Sequence, residues 1–356
     1  MRIAVDAREL GGRPTGVGRY LQQLLREWAR TPSGHSFTLF TPDPALQLPT
    51  GLIGDVAVVP GAGGTGWEQR ALARAVRRAR PDVLFAPGYT APLLVRCPVA
   101  LVVHDVSFAA HPEWFRPREG FRRRLLCRLS ARRARVVVTV SAFSKREIET
   151  HLHVPADRIR VIPHGVGLGP SAGSGRREPL VLFVGSVFNR RHVPALITAF
   201  GRLAASRPDL RLEIVGENRT WPPQDLRQAA VASGAASRIG LRDWVPDDTL
   251  ADLYQRASAF VFLSEYEGFG LTPLEALAAG IPPVVLDTPV AREVYGPAAI
   301  YVSRAEPDAI AHALEQALDP GPARDQVFAA APGVLARYRW EDAAAATLAA
   351  ICEAAS

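Results

Sequence analysis

EYEGFGLTPLEALAAG, residues 265–280, follows directly on the apolar run AFVFLS at 259–264. The run has strand length and strand composition. The segment after it carries helix punctuation: Thr272 fits an N-cap, Pro273 the first helical position and Gly280 the position just past the end. Strand, glycine loop and helix in immediate succession form the repeating unit of a doubly wound α/β sheet. A bare strand-to-helix turn does not call for two carboxylates, Glu267 and Glu275, set around Gly268 and Gly270.

The same unit recurs on both sides. Towards the N-terminus, RIAVDA (2–7), SFTLFT (36–41), DVLFAP (82–87), PVALVVHD (98–105) and RVVVTVS (135–141) read as buried strands. GRYLQQLLREWAR (18–30) and EQRALARAVRRAR (68–80) have helical periodicity. HGVGLGPSAGSGRREP at 164–179 breaks the pattern with glycine, serine and proline, as a linker does. A second series follows: LVLFVGS (180–186), a helix in VPALITAFGRLAAS, the strand RLEIVGE, a helix in DTLADLYQRAS, then AFVFLS. The expected fold is α/β, two doubly wound parallel-sheet (Rossmann-like) domains facing a central cleft. The first spans 1–168, a linker 169–178, and the second 179–337. Ligands of such sheets bind outside the carboxyl ends of the strands.

Composition narrows the class. With 356 residues, 48% apolar and 22% charged, the chain has a globular composition long enough for about two domains. No apolar run approaches the roughly 20 residues that cross a bilayer. MRIAVDAREL reads as a first strand, not a signal peptide. Cys97, Cys127 and Cys352 show neither metal spacing nor a disulfide framework, which points to a reducing cytoplasm and to no metal. The net charge is +7, carried by arginine with a single lysine, Lys145. A basic chain can meet nucleic acid, anionic lipid or a phosphorylated small molecule. No nucleic-acid motif is present.

Glycines ahead of a helix N-terminus let backbone N–H groups close on an anion, which the helix dipole also favours. Carboxylates beside that site accept hydrogen bonds from hydroxyls. Phosphate joined to hydroxyls describes a nucleotide sugar. Two readings of Glu275 stand: a ligand for such hydroxyls, or the partner of Thr272 in a capping box.

These residues resemble the E-x7-E signature of retaining glycosyltransferases of family 4, here Glu267 to Glu275. TGVGRY (15–20), ALVVHDVSFAAHPEWF (100–115), TVSAFSKREI (139–148), VIPHGV (161–166), FVGSVFNRRHVPALITAF (183–200) and YRWEDAAAATLAAI (338–351) resemble that family's other markers, in the same order. The resemblance implies a GT-B fold, with a terminal helix at 338–356 crossing back to the first domain. It also implies a hexosyltransferase that uses a nucleotide-sugar donor as substrate and needs no cofactor.

By the same resemblance, Arg190 and Arg191 open the helix after strand 180–186 and bind the donor diphosphate. The family usually has lysine at the second place. His104 contacts the transferred sugar, and Glu267 accepts from a sugar hydroxyl. Phe269, Gly270 and Leu271 offer backbone N–H groups, and Glu275 holds the ribose. Gly16 and Gly18 let the first loop approach the diphosphate, or simply start a helix. Asp105 fits a turn cap. The marker details are most similar to mannosyltransferases of surface-polysaccharide assembly. That implies GDP-mannose first and a UDP-hexose second as donor, and a saccharide or lipid-linked acceptor.

FRRRLLCRLSARRAR (121–135) holds seven arginines. It reads as a solvated basic helix face or as a surface drawn to anionic lipid, peripheral at the inner face of the membrane. Two rivals to glycosyl transfer are a nucleotide-sugar epimerase and a non-catalytic basic adaptor for membrane or nucleic acid. Neither gives Glu267 and His104 their roles.

Overall fold

The computed structural model describes residues 1–12, 16–31, 34–167 and 177–356. The chain divides into two compact units. The first comprises Met1–Pro112, Pro117–Gly165 and Tyr338–Ser356; the second comprises Glu113–Arg116 and Val166–Arg337. Most of the expected linker, 169–176, lies outside the described residues. Its last two residues are anchored in the second unit. Arg177 donates to the carbonyls of Tyr254, Gln255 and Ala257, and Glu178 pairs with Arg256 at 2.8 Å.

In the first unit the strands are β1 (Arg2–Asp6), β2 (Ser36–Thr41), β3 (Gly54–Val58), β4 (Val83–Ala86), β5 (Val99–Val102), β6 (Val136–Thr139) and β7 (Ile159–Val161). They form one sheet in the order β3-β2-β1-β4-β5-β6-β7, with every neighbouring pair parallel. The central strands β4, β5 and β6 are buried at every residue. Helices on both faces require this, and it explains their Val/Leu runs.

The helix Trp340–Ala355 belongs to this unit. Ile351 and Ala343 lie in the core with Leu24, Trp28 and Val102, and Trp28 Nε1 donates to Ala344 O at 2.9 Å. Arg160 pairs with Glu353 near the end of the helix.

The second unit repeats the design. Its strands are β8 (Leu180–Val184), β9 (Arg211–Val215), β10 (Ile239–Arg242), β11 (Ala259–Phe262), β12 (Pro283–Leu286) and β13 (Ile300–Val302). They run in the order β10-β9-β8-β11-β12-β13, all parallel. In each sheet the order reverses once, between β1 and β4 and between β8 and β11. Doubly wound folds hold their ligands at that switch point.

Candidate active site

The loops after β8 and β11 meet at the second unit's switch point. Glu265 N donates to Arg190 O at 3.0 Å, joining them by a backbone hydrogen bond. Arg190 and Arg191 do not open the following helix, as the sequence suggests. They lie in a 3-10 turn, Asn189–Arg191, and the helix Val193–Ser206 starts only after His192, whose φ is 49°. A left-handed residue separates turn from helix, so both guanidinium groups are placed by the loop. Arg190 is buried at 8% exposure. Its Nε donates to Tyr266 O at 3.1 Å, and its guanidinium lies 4.4 Å from the Phe188 ring and 5.8 Å from that of Trp114. Among the described residues no carboxylate pairs with it.

Arg191 uses the planar fork that distinguishes arginine from lysine. Nε and Nη2 both donate to Glu267 Oε1, at 3.0 and 2.7 Å, and Nη1 donates to Ser186 O at 2.7 Å. The guanidinium also sits 4.6 Å from the Phe262 ring. Ser264 Oγ donates to the same Glu267 oxygen at 2.8 Å, while Oε2 has no hydrogen-bond partner among the described residues. Glu267 is thereby fixed through one oxygen and presents the other as an acceptor.

The helix after β11 begins earlier than its side chains suggest. It spans Leu271–Ala278, and Gly270 occupies the cap position at φ 86° with no side-chain cap. Thr272 is not the N-cap, Pro273 stands third instead of first, and the capping box does not form. Proline is tolerated there because the first four N–H groups of a helix have no internal acceptor. Thr272 Oγ1 is buried without a partner. Glu275 accepts from Tyr254 Oη at 3.1 Å. Gly270 is required twice over: φ is positive, and a Cβ would lie 2.1 Å from Tyr295 Oη. That hydroxyl donates to Gly270 O at 2.9 Å and so fixes the peptide ahead of the helix. Phe269, Gly270 and Leu271 therefore lead into a helix N-terminus held in place from outside.

The remaining expected residues lie in the first unit. Gly16 and Gly18 sit within the helix Gly16–Arg30, not in a loop; the residues just before them, 13–15, are outside the described ones. Gly18 is buried and Gly16 exposed. Gly16 opens the helix and Gly18 lies in its first turn. His104 follows β5 with Nε2 2.9 Å from Pro87 O. A carbonyl only accepts, so Nε2 carries the proton and Nδ1 the lone pair. Burial lowers the pKa of His104, which favours this neutral form. The ring stacks on His164 at 5.3 Å and meets Tyr20 edge-on at 5.0 Å. Burial, then the neighbouring His104, holds His164 well below the usual histidine range. Asp105 accepts from Ser107 N at 2.8 Å, the turn cap its position suggests, and from Tyr89 Oη at 2.7 Å. Ser144 Oγ donates to His104 O at 3.4 Å, tying the TVSAFS segment to the histidine.

Known proteins match both halves. Residues 14–169 fit the family described as Glycosyltransferase Family 4, and 170–332 the one described as Glycosyl transferases group 1. The chain belongs to the family 4 glycosyltransferases. It is a GT-B hexosyltransferase. The Escherichia coli O-antigen chain mannosyltransferase B is 27% identical over 296 residues, 78% of this chain and 76% of that one. The GDP-mannose:cellobiosyl-diphosphopolyprenol alpha-mannosyltransferase of Xanthomonas campestris is 32% identical over 138 residues, 38% of this chain and 36% of that enzyme. Anabaena Alr3699/HepE in complex with UDP-glucose superposes with a TM-score of 0.74 at 17% identity, covering 98% of this chain and 99% of that one.

Sequence reasoning on this glycosyltransferase missed Tyr295, Ser264, Phe188, Tyr254 and His164, which hold the named residues in place. His164 stands in the quoted VIPHGV segment. Tyr295 lies 25 positions beyond Gly270 and carries no local signal.

Proposed function

We propose that this glycosyltransferase moves mannose from GDP-mannose to a saccharide or lipid-linked acceptor in polysaccharide assembly, with retention at the anomeric carbon. Arg190 carries the reading. A buried guanidinium without a counter-charge is costly, and a donor diphosphate would supply the missing anion. The N-terminus of helix 271–278 favours negative charge at the same switch point. Glu267 Oε2 suits a sugar hydroxyl and Glu275 the ribose. The mannosyltransferase relatives support mannose as the group transferred.

In the reaction the bond between the anomeric carbon and the phosphate oxygen breaks, and the acceptor oxygen bonds to that carbon on the same face. The acceptor proton passes to the departing phosphate oxygen. Charge grows on the diphosphate as it leaves, and Arg190 and Arg191 stabilise it there. His104, neutral and with Nδ1 as an acceptor, suits a hydroxyl of the transferred sugar.

The UDP-glucose held by the structurally similar Anabaena protein favours a UDP-hexose as the second reading. Calorimetric titration with GDP, UDP, GDP-mannose and UDP-glucose separates the two. Tighter binding of GDP than UDP by tenfold or more is expected. UDP binding tighter than GDP would overturn the mannose donor, and binding of neither would overturn the site.

A further inference from the structure

Helix 271–278 is held at both ends. Tyr295 fixes the peptide ahead of its N-terminus. Its far end is held by Arg177. A helix leaves its last carbonyls without an internal partner. Here Glu275, Ala276 and Leu277 find theirs in the N–H groups of Ala279, Ile281 and Gly280. Ala279 O, one residue further, accepts from Arg177 Nη2. Gly280 makes room for that arm: its φ is 75°, and a Cβ there would lie 3.2 Å from the same Nη2.

The other arm of the guanidinium serves a second helix, Asp247–Arg256. Nη1 donates to Tyr254 O at 2.8 Å, to Gln255 O at 2.9 Å and to Ala257 O at 3.1 Å. One rigid fork therefore joins the C-terminal ends of both helices, where the dipoles favour a cation. Burial, then the nearby Arg324, lowers the pKa of Arg177, and no carboxylate among the described residues pairs with it. The two helices also meet through side chains, since Tyr254 Oη donates to Glu275 at 3.1 Å. Arg177 thus grips the backbone of the residue whose hydroxyl holds Glu275. Anchoring the chain at 177–178 would not need the arm to Ala279. Glu178 already does that, with its N–H on Arg256 O at 2.8 Å and its carboxylate on the Arg256 guanidinium.

We infer that Arg177 is a positioning residue for glycosyl transfer: it sets helix 271–278 against helix 247–256, and so places Glu275 for the donor ribose. The inference rests on the assignment of Glu275 to that ribose. Released at its C-terminus, helix 271–278 pivots about the end that Tyr295 holds. Glu275 stands about 6 Å along the axis from Leu271, at about 1.5 Å per residue, so it moves further than the N–H groups at the start. Hydrogen bonds weaken within roughly 0.5 Å of their preferred length, which makes Glu275 the contact that suffers. Loss of Arg177 is therefore felt by a ligand with a ribose and not by one that is phosphate alone.

The test is calorimetric titration of the full chain with GDP, UDP and inorganic pyrophosphate, far below the melting temperature. The parent should bind pyrophosphate and, more tightly, one of the nucleotides. Arg177→Ala should weaken that nucleotide about fivefold, the factor for the ~1 kcal/mol of a hydrogen bond, and leave pyrophosphate within about twofold. Arg177→Lys separates placement from folding. It keeps a cation at the helix ends, but one ammonium cannot serve both sets of carbonyls, so it should melt like the parent and still bind the nucleotide about fivefold more weakly. In a Glu275→Gln background Arg177→Ala should cost less than about twofold more, because the contact it positions is already gone. Parental nucleotide affinity in both Arg177 variants overturns the inference and leaves the donor site standing. Equal losses for nucleotide and pyrophosphate, or a loss that multiplies with that of Glu275→Gln, overturn it as well and reduce Arg177 to a helix cap. A Glu275→Gln variant that binds nucleotide like the parent overturns the ribose assignment and the inference with it.

Discussion

Gly270→Ala should damage both the stability of the second unit and its donor site, and the structure sets the size of the effect. An L-residue in a left-handed conformation costs roughly 1–2 kcal/mol. Gly270 has φ 86°, so that cost applies directly. The new Cβ would also lie 2.1 Å from Tyr295 Oη and 3.4 Å from Cζ. Tyr295 is only 3% exposed, so its ring has little room to swing away. Displacing it gives up the hydrogen bond to Gly270 O, worth about 1 kcal/mol. The sum is about 2–3 kcal/mol. At 2–4 °C per kcal/mol, melting should fall by roughly 4–12 °C. Nucleoside diphosphate affinity should fall at least tenfold, because the peptide leading into helix 271–278 shifts with Tyr295. Tyr295→Phe isolates the clash. Alone it should cost about 1 kcal/mol, and in its background Gly270→Ala should cost only the backbone term. Thermal unfolding of the four proteins, with calorimetry on each, completes the cycle. If Gly270→Ala melts and binds like the parent, the glycine is incidental and the proposed phosphate site is misplaced.

Three further outcomes are expected. Glu275→Gln keeps a neutral acceptor for Tyr254, so melting should move little while nucleoside diphosphate affinity falls by about tenfold; unchanged affinity would leave Glu275 as no more than the tyrosine's partner. Arg191→Lys should keep most transfer, since lysine also meets a phosphate, whereas the double change of Arg190 and Arg191 to Ala should abolish it; a parental rate for the double variant in a donor-turnover assay would refute the diphosphate assignment. Burial raises the pKa of Asp6 to about 6 from 3.8. The folded state therefore holds this proton more tightly than the unfolded chain, and the associated stability is present below about pH 4 and lost as pH rises through about 6. Asp6→Asn should gain stability relative to the parent between pH 4 and 7, by up to about 3 kcal/mol, and parallel denaturation curves across that range would refute the shift.

How much of this was legible beforehand depends on which force decided each feature. Most central strands were readable because burial on both faces demands unbroken apolar runs. The sequence reading names no strand at the edge strands β3, β7, β10 and β13, nor at β12, an inner strand of four buried residues behind the helix 271–278. Glu267 was found because charge in a glycine loop is conspicuous, and Arg190 and Arg191 through the family resemblance of their segment. The start of helix 271–278 was misplaced because Thr272 and Pro273 satisfy side-chain rules, whereas a glycine at positive φ settled the matter two residues earlier. On helix 117–133, Phe121, Leu125 and Leu129 stand at helical spacing without forming a wide apolar stripe, and which way they face depends on what packs behind the helix. Only the seating of Gly120, Cys127, Ser130 and Ala131 inward shows that Phe121, Leu125 and Leu129 face out.

The two sheets share one strand order, yet their switch points are electrostatically unlike. In the first unit Arg8 reaches across the crevice between β1 and β4 to Asp6, at 3.0 Å, and to Glu68, and Thr90 donates to Glu68 at 2.7 Å. Asp6 and Glu68 are 2% and 1% exposed, so the cation is consumed internally by two buried acids. Among the described residues this cluster leaves no unmatched positive charge for a phosphate. In the second unit the carboxylates of the equivalent crevice are taken by other groups: Glu267 by Arg191, Glu265 by His192 and Glu275 by Tyr254. Arg190 is left with a carbonyl and two aromatic faces, none of which neutralises it. A helix N-terminus stands in the same crevice. The same topology therefore yields a closed ion cluster in one unit and an unmatched positive charge in the other. That asymmetry, more than the fold, is the reason to place a diphosphate at Arg190 and not at Arg8.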